Sequence, residues 1–191
     1  MRFHELPVGG AFLIEPERKE DERGFFARAW CREEFAAQGI RCDWAQFNIS
    51  YNRRRGTLRG LHYQTAPWGE PKLVRCTAGT IYDVIVDLRP SSPHYGRWSA
   101  TELTAQSGRM LYVPEGLAHG FQTLTDDVEI LYMMGQMYHP EAARGLRWND
   151  PALGIAWPEC DQRIISESDR SFPDFVVPPR LLFRRDRRAA A

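Results

Sequence analysis

The sequence carries no net charge, because 25 Lys and Arg residues are balanced by 25 Asp and Glu residues in a chain of 191. A nucleic-acid-binding domain is usually basic overall or along one face. The four arginines of RRRGTLR, residues 53–59, are offset by carboxylates elsewhere, so no long-range positive field is expected. This balance argues against binding of DNA or RNA.

Lysine is nearly absent, since only Lys19 and Lys72 among the 25 basic residues are lysines. Arginine presents a planar fork that suits bidentate anions, whereas the compact ammonium of lysine points at a single oxygen. Lys72 begins the apolar, strand-like segment KLVRC. It is therefore a candidate for a specific chemical role rather than a generic surface charge.

Cysteines are few and widely spaced, at positions 31, 42, 76 and 160, with no Cys-x-x-Cys pair. No secretory leader precedes them, so we expect reduced thiols that serve mainly in packing. Long apolar runs are also absent, and no stretch reaches the roughly 18 residues that a membrane span needs. We expect a cytoplasmic protein that does not associate with membranes.

Short segments rich in Val, Ile, Tyr, Phe and Thr lie between frequent glycines and prolines, which predicts a mostly β chain. Residues 80–89, TIYDVIVDLR, alternate between two partly apolar faces, as expected for a strand between two layers. Further strands are predicted at residues 11–15, 44–50, 57–64, 72–77, 98–104, 109–113, 119–123 and 128–138.

So many short strands predict a single all-β domain, residues 1–191, of the sandwich or jelly-roll type. The best helical pattern is CREEFAAQG, residues 31–39, which Gly39 would end. This helix is expected to be short and peripheral. The arginine-rich tail, residues 180–191, is expected to fray.

The segment VPEGLAHGF, residues 113–121, places Pro114, Gly116 and His119 in a pattern that resembles the second half of the cupin signature. In metal-binding cupins a partner segment supplies more histidines and a glutamate, but residues 72–87 contain no histidine. None of the five histidines forms a His-x-His pair. We therefore expect a cupin jelly roll without a metal or another cofactor.

The polar residues that remain on predicted strands suit proton chemistry beside a carbonyl group. They are His62, Lys72, His119, Tyr132, Arg59 and Asp83. Epimerisation next to a ketone needs a neutral base, a cation for the enolate oxygen and an acid on the opposite face. Histidine, lysine and tyrosine fill these roles near neutral pH. Tyr132 and His119 alone suit a structural role equally well, and the combination of residues carries the hypothesis.

Several long motifs in order resemble the dTDP-4-dehydrorhamnose 3,5-epimerase family over roughly residues 7–170. The family consists of cupin sugar-nucleotide epimerases that are usually homodimers. The matching stretches are DERGFF (21–26), LRGLHYQ (58–64), KLVRCTAGTIYDVIVDLRPSSPHYGRW (72–98), YVPEGLAHGFQTL (112–124), LYMMGQMYHPE (131–141), RWNDPALGIAWP (147–158) and SESD (166–169).

The resemblance implies that His62 is the base, oriented by Asp169, that Tyr132 is the acid and that Lys72 stabilises the enolate oxygen. It further implies a substrate-binding set made of Arg23, Phe26, Arg28, Gln46, Asn48, Arg59, His119 and Tyr138. The expected ligand is a nucleotide-linked 4-keto-6-deoxyhexose, and the expected assembly is a homodimer.

The two-residue alternation of a strand places Arg59 and His62 on opposite faces, although both are assigned to one site. Both can reach one cavity only if the strand bends or bulges. Gly60 is the position where we expect that irregularity.

The sequence departs from the family at residues expected near the nucleobase and the sugar of the substrate. Arg28 replaces a common glutamate and Phe47 a frequent aspartate, while Met133 and Met134 replace polar or basic residues. Thymine recognition is thus open, and a CDP- or GDP-sugar is an alternative substrate. Epimerisation of a single centre, movement of the keto group and binding without catalysis are the alternative activities.

Overall fold

The computed structural model describes residues 1–40 and 43–176. The strands are β1 Arg2–Glu5, β2 Phe12–Glu15, β3 Arg18–Asp21, β4 Gly24–Ala27, β5 Gln46–Asn52, β6 Leu58–Gln64, β7 Lys72–Ala78, β8 Thr80–Asp87, β9 Trp98–Thr104, β10 Met110–Val113, β11 Leu117–Thr123, β12 Val128–Met134 and β13 Ala143–Gly145. The helices are α1 Arg32–Ala37 and α2 Glu167–Arg170. The all-β prediction with short helices is confirmed.

The strands form two main antiparallel sheets and a hairpin. The six-stranded sheet has the order β1-β2-β10-β7-β12-β5, and the five-stranded sheet has the order β13-β6-β11-β8-β9. Within the described part of the chain, strands β3 and β4 pair only with each other. Neighbours in both sheets come from distant parts of the chain, as in the jelly roll that the cupin motif predicts.

The main core lies between the two sheets and joins residues of β7 and β12 to residues of β8 and β11. Val74 and Ile130 from the first sheet share one buried cluster with Ile81, Ile85 and Phe121 from the second. The opposite face of β8 contributes Tyr82, Val84 and Val86 to a second cluster. The predicted alternation of residues 80–89 between two partly apolar faces is confirmed.

Helix α1 covers part of the outer face of the six-stranded sheet. Its Phe35 is buried with Ile14, Leu73 and Met110. The helix ends at Ala37, two residues before Gly39, which has φ +76°. The N–H groups of Gly39 and Ile40 donate to the carbonyls of Ala36 and Phe35, the pattern of a Schellman cap. The predicted helix over residues 31–39 thus includes its capping residues.

Four strands have no counterpart among the predicted ones: β1, the β3–β4 hairpin and β13. The predicted strand over 128–138 ends at Met134. Cys31, Cys76 and Cys160 are free thiols, whereas Cys42 and the predicted frayed tail lie outside the described residues. Within residues 1–40 and 43–176, no helix has the length and apolar character needed to cross a membrane.

Candidate active site

A cavity of about 730 Å³ is lined by residues of both sheets. The six-stranded sheet contributes side chains from β5, β7 and β12, and the five-stranded sheet contributes them from β6, β11 and β13. The cavity brings together nine of the residues singled out from the sequence: Gln46, Asn48, Arg59, His62, Lys72, His119, Tyr132, Tyr138 and, through its hydrogen bond to His62, Asp169.

A bulge in β6 explains how Arg59 and His62 line the same cavity. His62 pairs with His119 and Arg59 pairs with Phe121, so three steps on β6 match two steps on β11. The extra residue falls at Gly60–Leu61, and Gly60 has φ +115°. A Cβ atom on Gly60 would lie 2.6 Å from Cα of Gly120. Only glycine fits this close approach, and the irregularity predicted at Gly60 is confirmed.

His62 is held by a carboxylate from the other end of the chain. Its Nε2 lies 2.8 Å from Oδ1 of Asp169, and the N–H of Gly60 donates to Oδ2 of the same carboxylate at 3.0 Å. Asp169 lies in the short helix α2, whose N-cap Ser166 accepts a hydrogen bond from the Asp169 N–H at 3.1 Å. The bulge therefore positions the His62 imidazole and also the Gly60 N–H, which donates to the Asp169 carboxylate.

The Asp169 carboxylate is ionised at neutral pH. Burial raises its pKa, but the hydrogen bonds from His62 and from the Gly60 N–H outweigh burial, so the pKa lies below its usual value. Since Nε2 of His62 faces this carboxylate, Nδ1 is the ring nitrogen left for a ligand. The ring is half exposed to the cavity, with the edge of Phe172 packed against it at a centroid distance of 5.8 Å.

A second histidine and carboxylate lie deeper in the cavity wall. Nε2 of His119 lies 2.9 Å from both carboxylate oxygens of Asp83, which is fully buried. Burial raises the pKa of Asp83, and the neighbouring His119 and Lys72 offset this only in part. The His119 ring also packs edge-on against Tyr132 at 6.0 Å between centroids.

The Tyr132 phenol holds its proton across the physiological range. Burial and the negative charge of Asp83 raise its pKa well above the usual value, and the positive charge of Arg59 offsets little of that rise. Tyr132 is therefore protonated, and it lies on the opposite sheet from His62, on β12 rather than β6.

Lys72 is buried in the cavity wall beside a carboxylate that sequence reasoning missed. Its Nζ lies 3.0 Å from Oε1 of Glu70 and 3.4 Å from the carbonyl oxygen of His62. Glu70 precedes Pro71 and lies outside any strand, so no alternation pattern pointed to it. The available signal was its position two residues before a rare lysine.

Strand β5 lines the cavity with Gln46 and Asn48, which pair with Met134 and Tyr132 of β12. Phe47 lies on the other face of this strand and is 61% exposed, so within one chain it does not line the cavity.

Arg59 extends along β5, and its Nε donates to Oδ1 of Asn52 at 2.8 Å. Arg144 and Phe172 also line the cavity and were not singled out from the sequence.

Three predicted binding residues do not line this cavity in their own chain. Arg23 is exposed on the β3–β4 hairpin and forms an ion pair with Asp21 at 2.6 Å. Phe26 is 74% exposed. Nη1 of Arg28 lies 2.7 Å from Oε1 of Glu34 in helix α1. One chain thus presents these side chains on a surface apart from the His62 cavity.

Among the described residues, no group of three or more His, Cys, Asp and Glu side chains is arranged to hold a metal ion. The cavity instead groups an imidazole with its carboxylate, an unionised phenol and a buried ammonium. Groups of these kinds can act as a base, an acid and an electrostatic stabiliser, and here they lie on two facing sheets. The fold and this site define a cupin equipped for proton transfer on a small ligand.

Known proteins identify the family. The family model for dTDP-4-dehydrorhamnose 3,5-epimerase matches residues 5–176. The dTDP-4-dehydrorhamnose 3,5-epimerase of Sinorhizobium fredii is 42% identical over 183 residues, covering 94% of this chain and 92% of the relative. The chain therefore belongs to the dTDP-4-dehydrorhamnose 3,5-epimerase family, whose members are isomerases.

Two solved structures show the breadth of this similarity. The Bacillus anthracis dTDP-4-dehydrorhamnose 3,5-epimerase, with TDP and pyrophosphate bound, superposes with a TM-score of 0.87 at 38% identity, covering 91% of this chain and 99% of that one. A 3′-monoepimerase from Streptomyces bikiniensis, in complex with dTDP-quinovose, superposes with a TM-score of 0.82 at 35% identity, covering 90% and 86%. The cupin prediction and the family resemblance are confirmed.

Proposed function

We propose that this protein is a cofactor-independent epimerase that converts dTDP-4-dehydro-6-deoxy-D-glucose to dTDP-4-dehydro-L-rhamnose by inverting C3 and C5. The observation that carries the proposal is the facing arrangement of the His62–Asp169 pair and the protonated Tyr132 around one cavity. An imidazole and a phenol on opposite sheets suit the two faces of a planar enolate.

In the proposed reaction, His62 removes the proton from a carbon next to the C4 ketone. The electron pair of the broken C–H bond moves toward the carbonyl oxygen, where the Lys72 ammonium stabilises the enolate. Asp169 holds the imidazole in one tautomer and stabilises the imidazolium that forms. Nδ1 of His62 is the nitrogen that accepts the proton, since Nε2 faces Asp169.

Inversion requires that the new proton come from the other face of the enolate. Tyr132 donates that proton and becomes a phenolate, and the imidazolium and the phenolate then return to their starting states by proton exchange with solvent. Because burial raises the pKa of the Tyr132 phenol, the phenol still carries its proton when the enolate forms. The same base and acid serve C3 and C5 in turn.

We assign the remaining predicted residues to substrate binding. Gln46, Asn48 and Tyr138 line the cavity, as do Arg59 and His119. A guanidinium is suited to the diphosphate. The hairpin residues Arg23, Phe26 and Arg28 do not reach the cavity of their own chain, so we propose a homodimer in which each hairpin completes the partner's site. The cytoplasmic location stays a prediction from the sequence.

The alternative is inversion of a single centre, because the similar structures include a 3′-monoepimerase. The test is proton NMR in deuterated water with dTDP-, CDP- and GDP-linked 4-keto-6-deoxyglucose offered in parallel. Deuterium at both C3 and C5 of the dTDP-sugar supports the proposal, and deuterium at one carbon supports the monoepimerase. Exchange only with a CDP- or GDP-sugar would overturn the assignment of thymine as the nucleobase of the substrate. Exchange with none would leave a binding protein.

A further inference from the structure

We propose that Glu70 is a positioning residue that keeps the Lys72 ammonium aimed at the substrate's enolate oxygen. The inference rests on the proposed function, in which Lys72 stabilises that oxygen. Glu70 does not itself touch the reacting atoms in this assignment.

The first observation is the burial of the pair. Oε1 of Glu70 and Nζ of Lys72 are 3.0 Å apart, and their side chains are only 9% and 6% exposed. A buried ammonium is costly unless an opposite charge and hydrogen bonds compensate it. Glu70 is the only carboxylate within ion-pair distance of Lys72 among the described residues. Its charge is thus the direct compensation for the ammonium.

The second observation is that Glu70 is fixed from its other side. Its Oε2 accepts a hydrogen bond from Nε2 of Gln64 at 3.2 Å. Gln64 is 3% exposed, and its amide nitrogen also contacts the carbonyls of Trp68 and Met137, each at 3.1 Å. Its amide oxygen accepts from the N–H of His139 at 2.6 Å. These four contacts fix the Gln64 side chain, and its hydrogen bond in turn restrains the Glu70 carboxylate.

These contacts join Lys72 to the segment that carries Tyr138. Met137 and His139 flank this cavity-lining residue, and both bond to Gln64 through their backbone. The chain of contacts therefore runs from the ammonium through Glu70 and Gln64 to the rim of the cavity. Loss of the Glu70 charge would loosen the ammonium while leaving the strand that holds Lys72 in place.

The scarcity of lysine supplies a test that does not depend on catalysis. A lysine amine must approach an acetylating reagent freely in order to attack it, and a lysine held in a buried ion pair is hindered from doing so. The side chains to compare by mass spectrometry are Lys72 and Lys19, the only lysines in the chain. In Glu70→Gln we expect Lys72 to react at least about five times faster, with Lys19 in the exposed hairpin unchanged as the internal control.

The kinetic test uses the same variant. We expect Glu70→Gln to lower kcat by about 10- to 100-fold, with the Kd for dTDP unchanged. In a Lys72→Met background the same substitution is expected to cause no further loss, as required if Glu70 acts only through Lys72. The matched control is Glu141→Gln, an exposed carboxylate beside His139, which is expected to leave kcat unchanged.

The outcomes separate the two proposals. Unchanged acetylation of Lys72 in Glu70→Gln would overturn the positioning role whatever the substrate is, and so would an unchanged kcat in an active enzyme. A further loss of kcat in the Lys72→Met background would show a structural role instead. Faster acetylation together with no exchange by the wild-type protein on any sugar would retain the pairing and overturn the proposed function.

Discussion

At the scale of single residues, Tyr132 separates proton removal from proton return. We expect Tyr132→Phe to retain deuterium exchange at the first carbon, because His62 can still remove and restore a proton on one face. Formation of inverted product is expected to fall by about 10²- to 10⁴-fold, the range for loss of a general acid. NMR in deuterated water measures both quantities on one sample. Equal losses of exchange and product would contradict the acid role.

The orienting carboxylate gives the second prediction at this scale. Asp169→Asn keeps the size of the side chain but removes the charge that fixes the His62 tautomer and stabilises the imidazolium. We expect kcat to fall by about 10²- to 10⁴-fold, with the Kd for dTDP nearly unchanged. Steady-state kinetics measures kcat, and titration calorimetry measures the Kd for dTDP.

Asp174→Asn is the matched control for Asp169→Asn, since this exposed carboxylate pairs with Arg147 instead. A normal kcat in Asp169→Asn, or an equal loss in the control, would remove Asp169 from the mechanism.

At the scale of elements, the β6 bulge is what places the base. Gly60→Ala would drive a Cβ atom to 2.6 Å from Gly120 Cα and 2.8 Å from the His119 carbonyl oxygen. Gly24→Ala is the matched control, because Gly24 has φ +124° but nothing lies within 4 Å of its added Cβ. Both variants carry the backbone strain of a positive φ.

We expect the free energy of unfolding of Gly60→Ala to be about 1–3 kcal/mol lower than that of Gly24→Ala, because only Gly60→Ala overpacks the interior. Urea denaturation of both variants measures the difference. Equal stabilities would mean that the neighbouring strands β6 and β11 move apart easily at the bulge. The bulge would then not be a rigid support for Arg59 and His62.

Elements also differ in how far the sequence predicts them. The bend at Gly60 could be predicted, because Arg59 and His62 were assigned to one site although strand alternation places them on opposite faces. Strand β8 and the cap at Gly39 follow from local patterns. The charged β3 strand, RKED, has no apolar face to signal a strand, because all four of its residues are exposed. Glu70 escaped notice because a loop, not a periodic element, brings it to Lys72.

At the scale of the whole molecule, the outer face of β5 is a surface that residues 1–40 and 43–176 leave uncovered. Phe47, Ile49 and Tyr51 alternate along this edge strand of the six-stranded sheet and are 61%, 67% and 52% exposed. An apolar face on an edge strand is a site where proteins associate. We therefore place the proposed dimer contact there.

The surface gives a direct prediction about assembly. Ile49→Glu places a charge in the middle of the stripe and is expected to convert the dimer to a monomer in sedimentation velocity runs. Ser50→Glu is not suitable as a control, because Ser50 lines the cavity. Ala152→Glu adds the same single negative charge at an exposed position outside β5 and the hairpin, and it is expected to stay dimeric. A dimeric Ile49→Glu protein would move the contact elsewhere.

The dimer also predicts how two inactive chains restore each other. A chain with His62→Ala keeps its hairpin, and a chain with Arg23→Ala and Phe26→Ala keeps its cavity. If each hairpin serves the partner's cavity, a mixed dimer has one intact site and one site with both defects. With random exchange, half of the dimers are mixed, so about a quarter of wild-type kcat returns by symmetry.

If each hairpin served its own chain, mixed dimers would have no intact site. Mixed dimers seen by native mass spectrometry but without activity would therefore overturn the shared site.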